Sequence, residues 1–252
     1  MKTDIKSIVR YSIKSLSGEH LAQVELTPGR ALPGDRRYAL RHGASAYDPA
    51  RPAWQRKREF AVLVHTPALA RLKTAFDPDT TALTIARDGA PLFAGRLDNP
   101  AARRGAEIVF NRVLKDPRGP LTLVDAGADL ALTDMQVPYL AVINAATVRE
   151  LSAKAGRPLD PLRFRGNLLI DGCPPWAEFG WVGREMKVGA AMLRVFKRIE
   201  RCAATSVDPA SATTDINVPK LLMENFGHID CGIYAEVIAG GPVRVGDAVT
   251  LS

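Results

Sequence analysis

The short apolar segments of this chain are interrupted by glycine and proline, and this punctuation constrains the fold more than any other feature. The 252 residues include 20 glycines and 18 prolines. Residues 5–13 are rich in β-branched side chains, and residues 21–26 alternate apolar and polar side chains before the turn dipeptide Pro28-Gly29. Glycine and proline end strands and form turns. Many short strands separated in this way favour a barrel over a layered α/β sheet.

Helix signals are few. The sequence predicts three helices, over residues 100–114, 145–155 and 218–226. Asn99 and Asn144 stand at the N-cap positions of the first two, where an amide oxygen accepts hydrogen bonds from free backbone N–H groups. Gly156 and Gly227 stand just after the second and third, where helices commonly end.

Two hairpins are predicted from paired turn residues. Asp88-Gly89 is a hairpin signal inside residues 38–95, which look like a small antiparallel unit. Gly240-Gly241 predicts a final hairpin between residues 234–238 and 243–251.

The charge balance predicts an anionic partner. The net charge is +7 and the sequence pI is about 9.5. The denser basic patches, residues 51–58 and 197–201, lack the interleaved aromatic side chains of a nucleic-acid stacking platform. We therefore expect no nucleic acid, and either a solvated basic surface or a small ligand that carries phosphate.

Membrane and secretion signals are missing from the sequence. No run approaches the roughly 20 apolar residues that cross a bilayer, and no apolar segment follows the N-terminus. The expectation is a cytoplasmic protein with no membrane partner.

The chain has three cysteines, and none forms a C-x-x-C pair. This argues against a disulfide framework, a zinc ribbon or an iron–sulfur cluster. Glycine-rich phosphate loops, the H-E-x-x-H motif and the G-x-S-x-G motif are also absent from the sequence. The common catalytic templates therefore do not apply.

Cys202 has the most unusual sequence context of the three cysteines. It follows Arg201, and Lys197 and Arg198 are close by. Positive neighbours lower the pKa of a thiol, and a thiolate is a soft ligand that suits a thiophilic metal. The alternative is a buried cysteine beside a surface arginine.

Six short motifs along nearly the whole chain carry a family resemblance. They are Tyr11-Ser12-Ile13-Lys14-Ser15, Gly34-Asp35-Arg36-Arg37-Tyr38, Arg163-Phe164-Arg165-Gly166-Asn167 with its following apolar strand, Trp176-Ala177-Glu178, Arg201-Cys202 followed by Thr205 and Val207-Asp208-Pro209, and Val245-Gly246-Asp247. In their order and spacing they resemble the motifs of the MOSC family, named for the C-terminal domain of molybdenum cofactor sulfurases. The reductases of N-hydroxylated compounds are the branch that the chain resembles.

The resemblance implies a molybdenum–molybdopterin cofactor whose metal is ligated by the cysteine that falls on Cys202, which would be both metal ligand and catalytic residue. The implied cofactor contacts are Lys14, Ser15, Arg36, Arg165, Asn167, Arg201 and Tyr234. Their chemistry is suitable, because arginine binds phosphate with two parallel hydrogen bonds and an asparagine amide both donates and accepts.

Each implied contact also has a structural alternative. Lys14 would otherwise be an exposed strand lysine, Arg36 would brace Asp35 or a turn carbonyl, and Tyr234 would be barrel core. Arg165 and Asn167 are predicted to alternate on one strand and so to share a face. Cys173 and Cys231 are expected to be structural.

The chain departs from the family pattern at three places. Gln136-Val137 replaces a pair of small hydroxyl residues, which puts two cofactor hydrogen bonds in doubt, and Gly166 stands where proline is common. Because the sequence ends at Ser252, we expect no two-iron ferredoxin domain of the kind that some bacterial relatives carry.

The fold class that follows is α+β and mostly β: a MOSC-type β-barrel with peripheral helices and a smaller N-terminal α/β lobe. Residues 1–36 are expected to pack with the barrel as strands, residues 37–110 to form the N-terminal lobe, and residues 111–252 to form the MOSC domain.

Two functions are compatible with this reading. The first is a molybdenum-dependent reductase that converts small N-hydroxylated substrates, such as amidoximes and hydroxylamines, to amines with electrons from a ferredoxin-type or cytochrome-type partner with its reductase. The second is a non-catalytic carrier that binds the cofactor, or holds sulfur on Cys202 as a persulfide, for delivery to another enzyme. A reductase needs a substrate opening beside the metal and an electron donor, whereas a carrier needs neither.

Overall fold

A computed structural model describes residues 2–251 of the chain. Within this range most regular structure is extended. The strands are β1 (Thr3–Arg10), β2 (Glu19–Leu21), β3 (Gln23–Leu26), β4 (Tyr38–Arg41), β5 (Leu72–Phe76), β6 (Ala82–Arg87), β7 (Ala90–Arg96), β8 (Thr122–Asp125), β9 (Leu140–Asn144), β10 (Leu168–Asp171), β11 (Glu185–Val188), β12 (Ala191–Glu200), β13 (Asp230–Ala239), β14 (Gly241–Arg244) and β15 (Ala248–Leu251). The helices are α1 (Pro100–Val113), α2 (Ala145–Ala155) and α3 (Val218–Phe226).

A closed β-barrel forms the main body. Its strands follow the order β10, β9, β13, β12, β11, β15 and β1, and pairing of β1 with β10 closes the ring. Only β9 and β10 run parallel, because helix α2 carries the chain back between them. Side chains alternate between the two faces of each strand, so every second residue faces the interior. Ile8, Leu193 and Ile233 are among the apolar side chains that fill it, and all three are fully buried.

Strand β1 belongs to this barrel although it is the first element of the chain. It pairs with β15 at Thr3 and Asp4 and with β10 from Asp4 to Ile8. The barrel is therefore assembled from both ends of the sequence, and the loop that follows β1 emerges at one of its rims.

The segment of sequence between β1 and the remaining barrel strands contains a smaller structural unit. The antiparallel sheet β5–β6–β7 packs with α1, and Phe110 and Ala106 of the helix are buried in a second apolar core. Asn99 caps α1 by accepting hydrogen bonds from the N–H groups of Ala101 and Ala102. Ile108 of the same helix is 67% exposed.

The structure confirms the fold class: a mostly β protein with a barrel, peripheral helices and a smaller α/β unit. Helices α2 and α3 begin and end where the sequence predicts, with Gly156 and Gly227 in the left-handed conformation after each. No helix between residues 2 and 251 is long and apolar enough to cross a membrane.

The predicted C-terminal hairpin is wrong. Strand β14 pairs with β3, and β15 pairs with β1 and β11, so neither returns along β13. The reason is that both edges of β13 are already occupied, by β9 and β12. Gly240 and Gly241 serve instead to bring the chain close to β3, since a Cβ at Gly240 would lie 2.5 Å from the carbonyl oxygen of Leu26.

Candidate cofactor-binding cleft

A cleft opens where the loops at one rim of the barrel meet the smaller unit. Its lining residues are Lys14, Ser15, Arg36, Lys57, Val62, Leu63, Val64, Asp134, Tyr139, Ala141, Arg163, Phe164, Arg165, Ile199, Glu200, Arg201, Cys202, Ala204, Thr205 and Tyr234. Its cavity volume is about 100 Å³, below the roughly 300–1,000 Å³ of typical small-molecule sites, so a bound cofactor would extend into the open side of the cleft. Seven of the eight residues implied by the family resemblance lie in this lining, and Asn167 does not.

Cys202 stands at the end of β12 on the open side of the cleft. It is exposed, whereas Cys173 is half-buried and Cys231 is fully buried. The carbonyl oxygen of Cys202 accepts hydrogen bonds from the N–H of Thr205 at 3.1 Å and from its hydroxyl at 2.9 Å. These bonds form a short helical turn that fixes the backbone of Cys202 and leaves its thiol open to the cleft.

The three cations near Cys202 in sequence are engaged elsewhere. Nε of Arg201 donates to the carbonyl of Cys231 at 2.7 Å and Nη1 to that of Phe164 at 2.9 Å, so its buried guanidinium braces two chain segments. Lys197 lies 3.5 Å from Glu200, and the Arg198 guanidinium lies over the ring of Phe179. Their placement lends no support to the expectation that these side chains stabilise a Cys202 thiolate.

Arg163 fixes the loop that follows Cys202. Its guanidinium is 2% exposed and donates to Asp208 at 2.6 Å and to Asp215 at 2.7 Å. Asp208 is the acidic residue of the Val207-Asp208-Pro209 motif, so that motif acts through Arg163. A buried arginine with two carboxylates holds the Cys202 loop against the turn that precedes β10.

Lys14 and Asp134 form an ion pair inside the cleft. Nζ of Lys14 donates to Oδ1 of Asp134 at 2.7 Å and to the carbonyl of Leu132 at 2.8 Å. Burial lowers the pKa of Lys14, while Asp134 acts in the opposite direction. The positive charge of Lys14 lowers the pKa of Asp134 to about 2. Lys14 is therefore a buried cation rather than an exposed strand lysine.

Arg36 and Arg165 stack on the same buried ring. Their guanidinium carbons lie 4.9 Å and 4.2 Å from the centroid of Tyr11. Burial disfavours the charge of Arg36, but its ion pair with Asp35 outweighs this effect and raises the pKa of Arg36. Burial lowers the pKa of Arg165 to about 10, which leaves it charged at neutral pH.

The backbone is strained at three cleft residues. Ser15, Arg36 and Arg165 have φ angles of +69°, +51° and +50°. This left-handed region is unfavourable for residues other than glycine and persists where the surroundings impose it, often at functional sites. The rim loops are held in these conformations by hydrogen bonds such as that from the N–H of Arg36 to the carbonyl of Tyr11, at 2.7 Å.

Tyr234 and Tyr139 form an aromatic wall. Their ring centroids are 4.2 Å apart, and burial raises the pKa of both hydroxyl groups. Tyr234 comes from β13, and Tyr139 immediately precedes β9. Tyr234 thus lines the cleft from the barrel wall, half-buried rather than in the barrel interior.

Asn167 lies in the barrel, outside the cleft. Its Oδ1 accepts from the N–H of Ala141 at 3.1 Å and its Nδ2 donates to the carbonyl of Val9 at 3.2 Å. The prediction that Arg165 and Asn167 share a strand face is wrong, because β10 begins only after Asn167 and Arg165 ends a helical turn. Gly166 fits this packing, since a Cβ there would lie 2.4 Å from Cγ1 of Ile143.

Comparisons with known families agree with this geometry. The model of the MOSC domain matches residues 135–250, and that of the MOSC N-terminal beta barrel domain matches residues 2–116. The chain belongs to the MOSC family. The two matched segments together leave only the stretch around residues 117–134 and the chain ends uncovered.

The curated relatives of this MOSC chain include mitochondrial amidoxime-reducing components. Component 1 of Mus musculus is 29% identical over 126 residues, which are 45% of this chain and 36% of that protein. Component 2 of Homo sapiens is 26% identical over 160 residues, which are 59% of this chain and 47% of that protein. The alignments thus span less than half the length of these relatives.

Solved structures similar to the MOSC chain include two bacterial proteins. YuaD of Bacillus subtilis is 14% identical with a TM-score of 0.47, and the match covers 100% of this chain and 96% of that one. YiiM of Escherichia coli is 24% identical with a TM-score of 0.33, over 45% of this chain and 53% of that one.

The MOSC family is linked to binding of the molybdenum cofactor, and the cleft residues fit such a group. Nη2 of Arg165 is buried with no hydrogen-bond partner among residues 2–251, although its Nη1 donates to the carbonyl of Leu16. A buried charged donor without a partner is costly and suits an anionic ligand. Within the same residues no three His, Cys, Asp or Glu side chains are grouped to hold a metal ion.

Three important residues of the MOSC cleft were missed from the sequence. Arg163 lies in a motif that carries the resemblance, and that membership was the available signal. Asp134 and Tyr139 flank the unusual pair Gln136-Val137, which itself is exposed and outside the cleft lining. A single acidic or aromatic residue in a loop has no periodicity, so only the fold identifies it.

Proposed function

We propose that the cleft binds a molybdenum–molybdopterin cofactor and that Cys202 ligates the metal. The observation that carries this proposal is the position of Cys202: the exposed thiol of the chain lies at the same cleft as Lys14, Arg36 and Arg165. A soft thiolate ligand and several buried cations are the two features that a metal held by an anionic pterin needs.

The residues divide by chemistry. Arg165 offers the unpartnered Nη2 to a phosphate, and Lys14 offers the N–H that its bonds to Leu132 and Asp134 leave over. The neighbouring rings of Tyr234 and Tyr139, tilted by 47° to each other, supply an aromatic surface for a heterocycle. Arg201 acts indirectly, by holding the segment that carries Cys202 against the barrel.

We further propose that the protein is an oxidoreductase that reduces small N-hydroxylated compounds. The overall conversion is R–NH–OH plus two electrons and two protons to R–NH₂ plus water, and molybdenum, when bound, supplies the oxygen-atom chemistry. The relatives named for amidoxime reduction support this substrate class. The electrons would come from a partner protein of ferredoxin or cytochrome type, since the sequence has no flavin, haem or iron–sulfur motif.

A second candidate function rests on the same observation. An exposed cysteine at the rim of a cationic cleft also suits a persulfide that is handed to another protein. In that case the domain would carry sulfur or cofactor without turning over substrate.

Metal analysis and a turnover assay test these proposals together. Protein from a host that makes the cofactor should contain about one molybdenum per chain, and Cys202→Ser should lose most of it because a hydroxyl is a poor soft-metal ligand. Cys173→Ala is the matched control and should keep its metal. Equal molybdenum in wild type and Cys202→Ser would reject the ligand assignment.

The turnover assay then separates the two functions. Loaded wild-type protein, reduced anaerobically with an artificial donor, should convert benzamidoxime to benzamidine, and Cys202→Ala should not. Loaded wild type that converts none of several N-hydroxylated compounds would favour the carrier. Turnover that survives Cys202→Ala would reject the role that both functions assign to Cys202.

A further inference from the structure

Asp134 is an acidic residue in a cleft that is otherwise rich in cations. The lining includes Lys14, Arg36, Lys57 and Arg165, and the acidic side chains are Asp134 and Glu200. The cations would attract an anionic ligand, whereas a carboxylate among them would repel it. The position of Asp134 therefore suggests that the carboxylate binds a different, hydrogen-bond-donating group of the ligand.

The two residues that precede Asp134 are fixed by hydrogen bonds to other segments of the chain. Nε1 of Trp54 donates to the carbonyl of Thr133 at 3.1 Å, and the N–H of Leu132 donates to the carbonyl of Arg36 at 2.8 Å. Lys14 holds Oδ1 of Asp134 and the carbonyl of Leu132 at once. The carboxylate is thus held in one place rather than free to leave the cleft.

One oxygen of this carboxylate is still available. Oδ2 of Asp134 accepts no hydrogen bond from any of the described residues 2–251, and the side chain is 52% exposed. Lys14 keeps the group ionised by lowering its pKa to about 2. An ionised carboxylate only accepts hydrogen bonds, and it pairs best with two adjacent N–H donors.

A pterin presents such a pair of donors at one end. Its 2-amino-4-oxopyrimidine ring carries an amino group next to a ring N–H, the same donor pair that guanine offers. We propose that Asp134 is the recognition site for this edge and sets the orientation of the pterin in the cleft. The proposal rests on the proposed function, in that the cleft takes a pterin at all.

The aromatic wall agrees with this orientation. Tyr139 follows the Asp134 loop directly, and its ring lies 4.2 Å from that of Tyr234. A heterocycle that packs on these rings has Oδ2 of Asp134 as the acceptor for its pyrimidine edge, and the unpartnered Nη2 of Arg165 as a donor to its anionic substituents.

A competing explanation is that Asp134 only neutralises Lys14. In that case the carboxylate would affect every anionic ligand and would not distinguish ligands by their pyrimidine edge. The two explanations differ in what happens when the 2-amino group of the ligand is removed while the rest of it is kept.

The test uses cofactor-free, full-length protein and two small probes. The probes are 6-hydroxymethylpterin and its 2-oxo analogue, 6-hydroxymethyllumazine, with binding measured by equilibrium dialysis at neutral pH. Wild type should bind the pterin at least about tenfold more tightly than the lumazine, because a hydrogen bond to a charged group is lost. Asp134→Asn should lose most of this preference.

Two controls make the result specific. Glu200→Gln removes the other carboxylate of the lining, which is exposed and paired with Lys197, and should keep the wild-type preference. Inorganic pyrophosphate should bind Asp134→Asn as well as wild type or better, since the variant removes a negative charge. This second control also shows that the variant is folded.

Several results would overturn the assignment of Asp134. Asp134→Asn could keep the full preference for the pterin over the lumazine, or could lose pyrophosphate binding together with pterin binding. The wild type could bind both probes equally, or could carry molybdenum and yet bind neither probe. A wild type that carries no molybdenum and binds no pterin would reject the proposed function itself, so the two failures are distinguishable.

Discussion

Oδ1 of Asn167 accepts a hydrogen bond from the backbone N–H of Ala141 at 3.1 Å, and this bond makes Asn167 a part of the barrel wall. The N–H of Asn167 donates in return to the carbonyl of Ala141 at 2.7 Å, and its Nδ2 reaches Val9 in the first strand. The residue is fully buried. It thus joins β1, β9 and the start of β10 where the barrel closes, and both polar atoms of its amide bond to the backbone of the barrel.

The first prediction follows from this arrangement. Asn167→Ala should lower the free energy of unfolding by roughly 2–4 kcal/mol, because it leaves a buried N–H and a buried carbonyl without partners. The molybdenum content per folded chain should stay near that of wild type. Urea denaturation and metal analysis of the same preparation provide the measurement. A stable variant that has lost its metal would place Asn167 among the cofactor contacts instead.

The second prediction concerns the loop of Cys202. Arg163→Ala should destabilise the protein by roughly 3–5 kcal/mol, because two carboxylates, Asp208 and Asp215, lose a buried partner. Arg149→Ala is the matched control: it removes a two-pronged pair with Asp171, but Arg149 is 62% exposed, so the cost should be under about 1 kcal/mol. Similar denaturation midpoints for the two variants would contradict the assigned role of Arg163.

A third prediction separates the two stacked arginines. Arg36→Ala should lower the free energy of unfolding of cofactor-free protein by roughly 3–5 kcal/mol, because it leaves the buried carboxylate of Asp35 without its ion-pair partner. Arg165→Ala loses a bond to one carbonyl and a ring contact, and should cost less, about 1–2 kcal/mol. Cofactor retention should fall at least about tenfold in Arg165→Ala. Equal melting of both variants would show that Asp35 does not depend on Arg36.

These contrasts show which features the sequence could predict. Helix α2 lies where Asn144 and Gly156 place it, because a cap and a left-handed end act within a few residues. The sequence does not predict the partner of strand β14, because that partner depends on which sheet edges are free once β13 pairs with β9 and β12. Local chemistry predicts local structure, whereas pairing is settled by competition across the whole chain.

The candidate site follows the same rule. Lys14 and Cys202 are far apart in sequence, and no spacing or periodicity would have joined them; the family resemblance did. The resemblance also brought in Asn167, whose amide bonds to the backbone of the barrel, and it left out Asp134. A shift of one residue in the pairing of a strand turns a polar side chain from one face of the sheet to the other, and so from a ligand to a backbone group. A sequence motif does not specify that register.

The fourth prediction concerns stability at alkaline pH. Burial raises the pKa of Tyr11 to about 12, above its ordinary value of 10.0. A group whose pKa is raised on folding stabilises the protein fully below its unfolded pKa, and this contribution is lost as the pH rises through the folded pKa. Wild type should therefore lose on the order of 2 kcal/mol more than Tyr11→Phe between about pH 9 and pH 12.

Denaturation with urea at pH 8 and pH 11 measures this difference, of which about 1.4 kcal/mol should already be present at pH 11. Near pH 8 the two proteins should be about equally stable, because the Tyr11 hydroxyl has no hydrogen-bond partner among residues 2–251 and phenylalanine keeps the ring beneath Arg165. Tyr38 and Cys231, whose pKa values burial also raises to about 12, remain in both proteins and cancel. Parallel losses in the two proteins would mean that Tyr11 does not titrate on unfolding.

The last prediction uses the different environments of the three cysteines. Iodoacetamide at pH 8 should first modify Cys202, which is exposed, and only later Cys173, whose thiol is half-buried and has its pKa raised by burial. Cys231 should react only on unfolding, since burial raises its pKa to about 12. Peptide mass spectrometry over a time course gives the rate at each site, because the thiolate is the reacting form and access limits it.

The same reaction reports on the metal ligand without any turnover. In protein loaded with the cofactor, a Cys202 sulfur that donates an electron pair to molybdenum is a weaker nucleophile and is covered by the cofactor, so it should be alkylated at least about tenfold more slowly than in cofactor-free protein. Cys173 serves as the internal reference, and its rate should be the same in both preparations. Equal alkylation of Cys202 in loaded and cofactor-free protein would show that its thiol is not the ligand, even if the cleft holds the pterin.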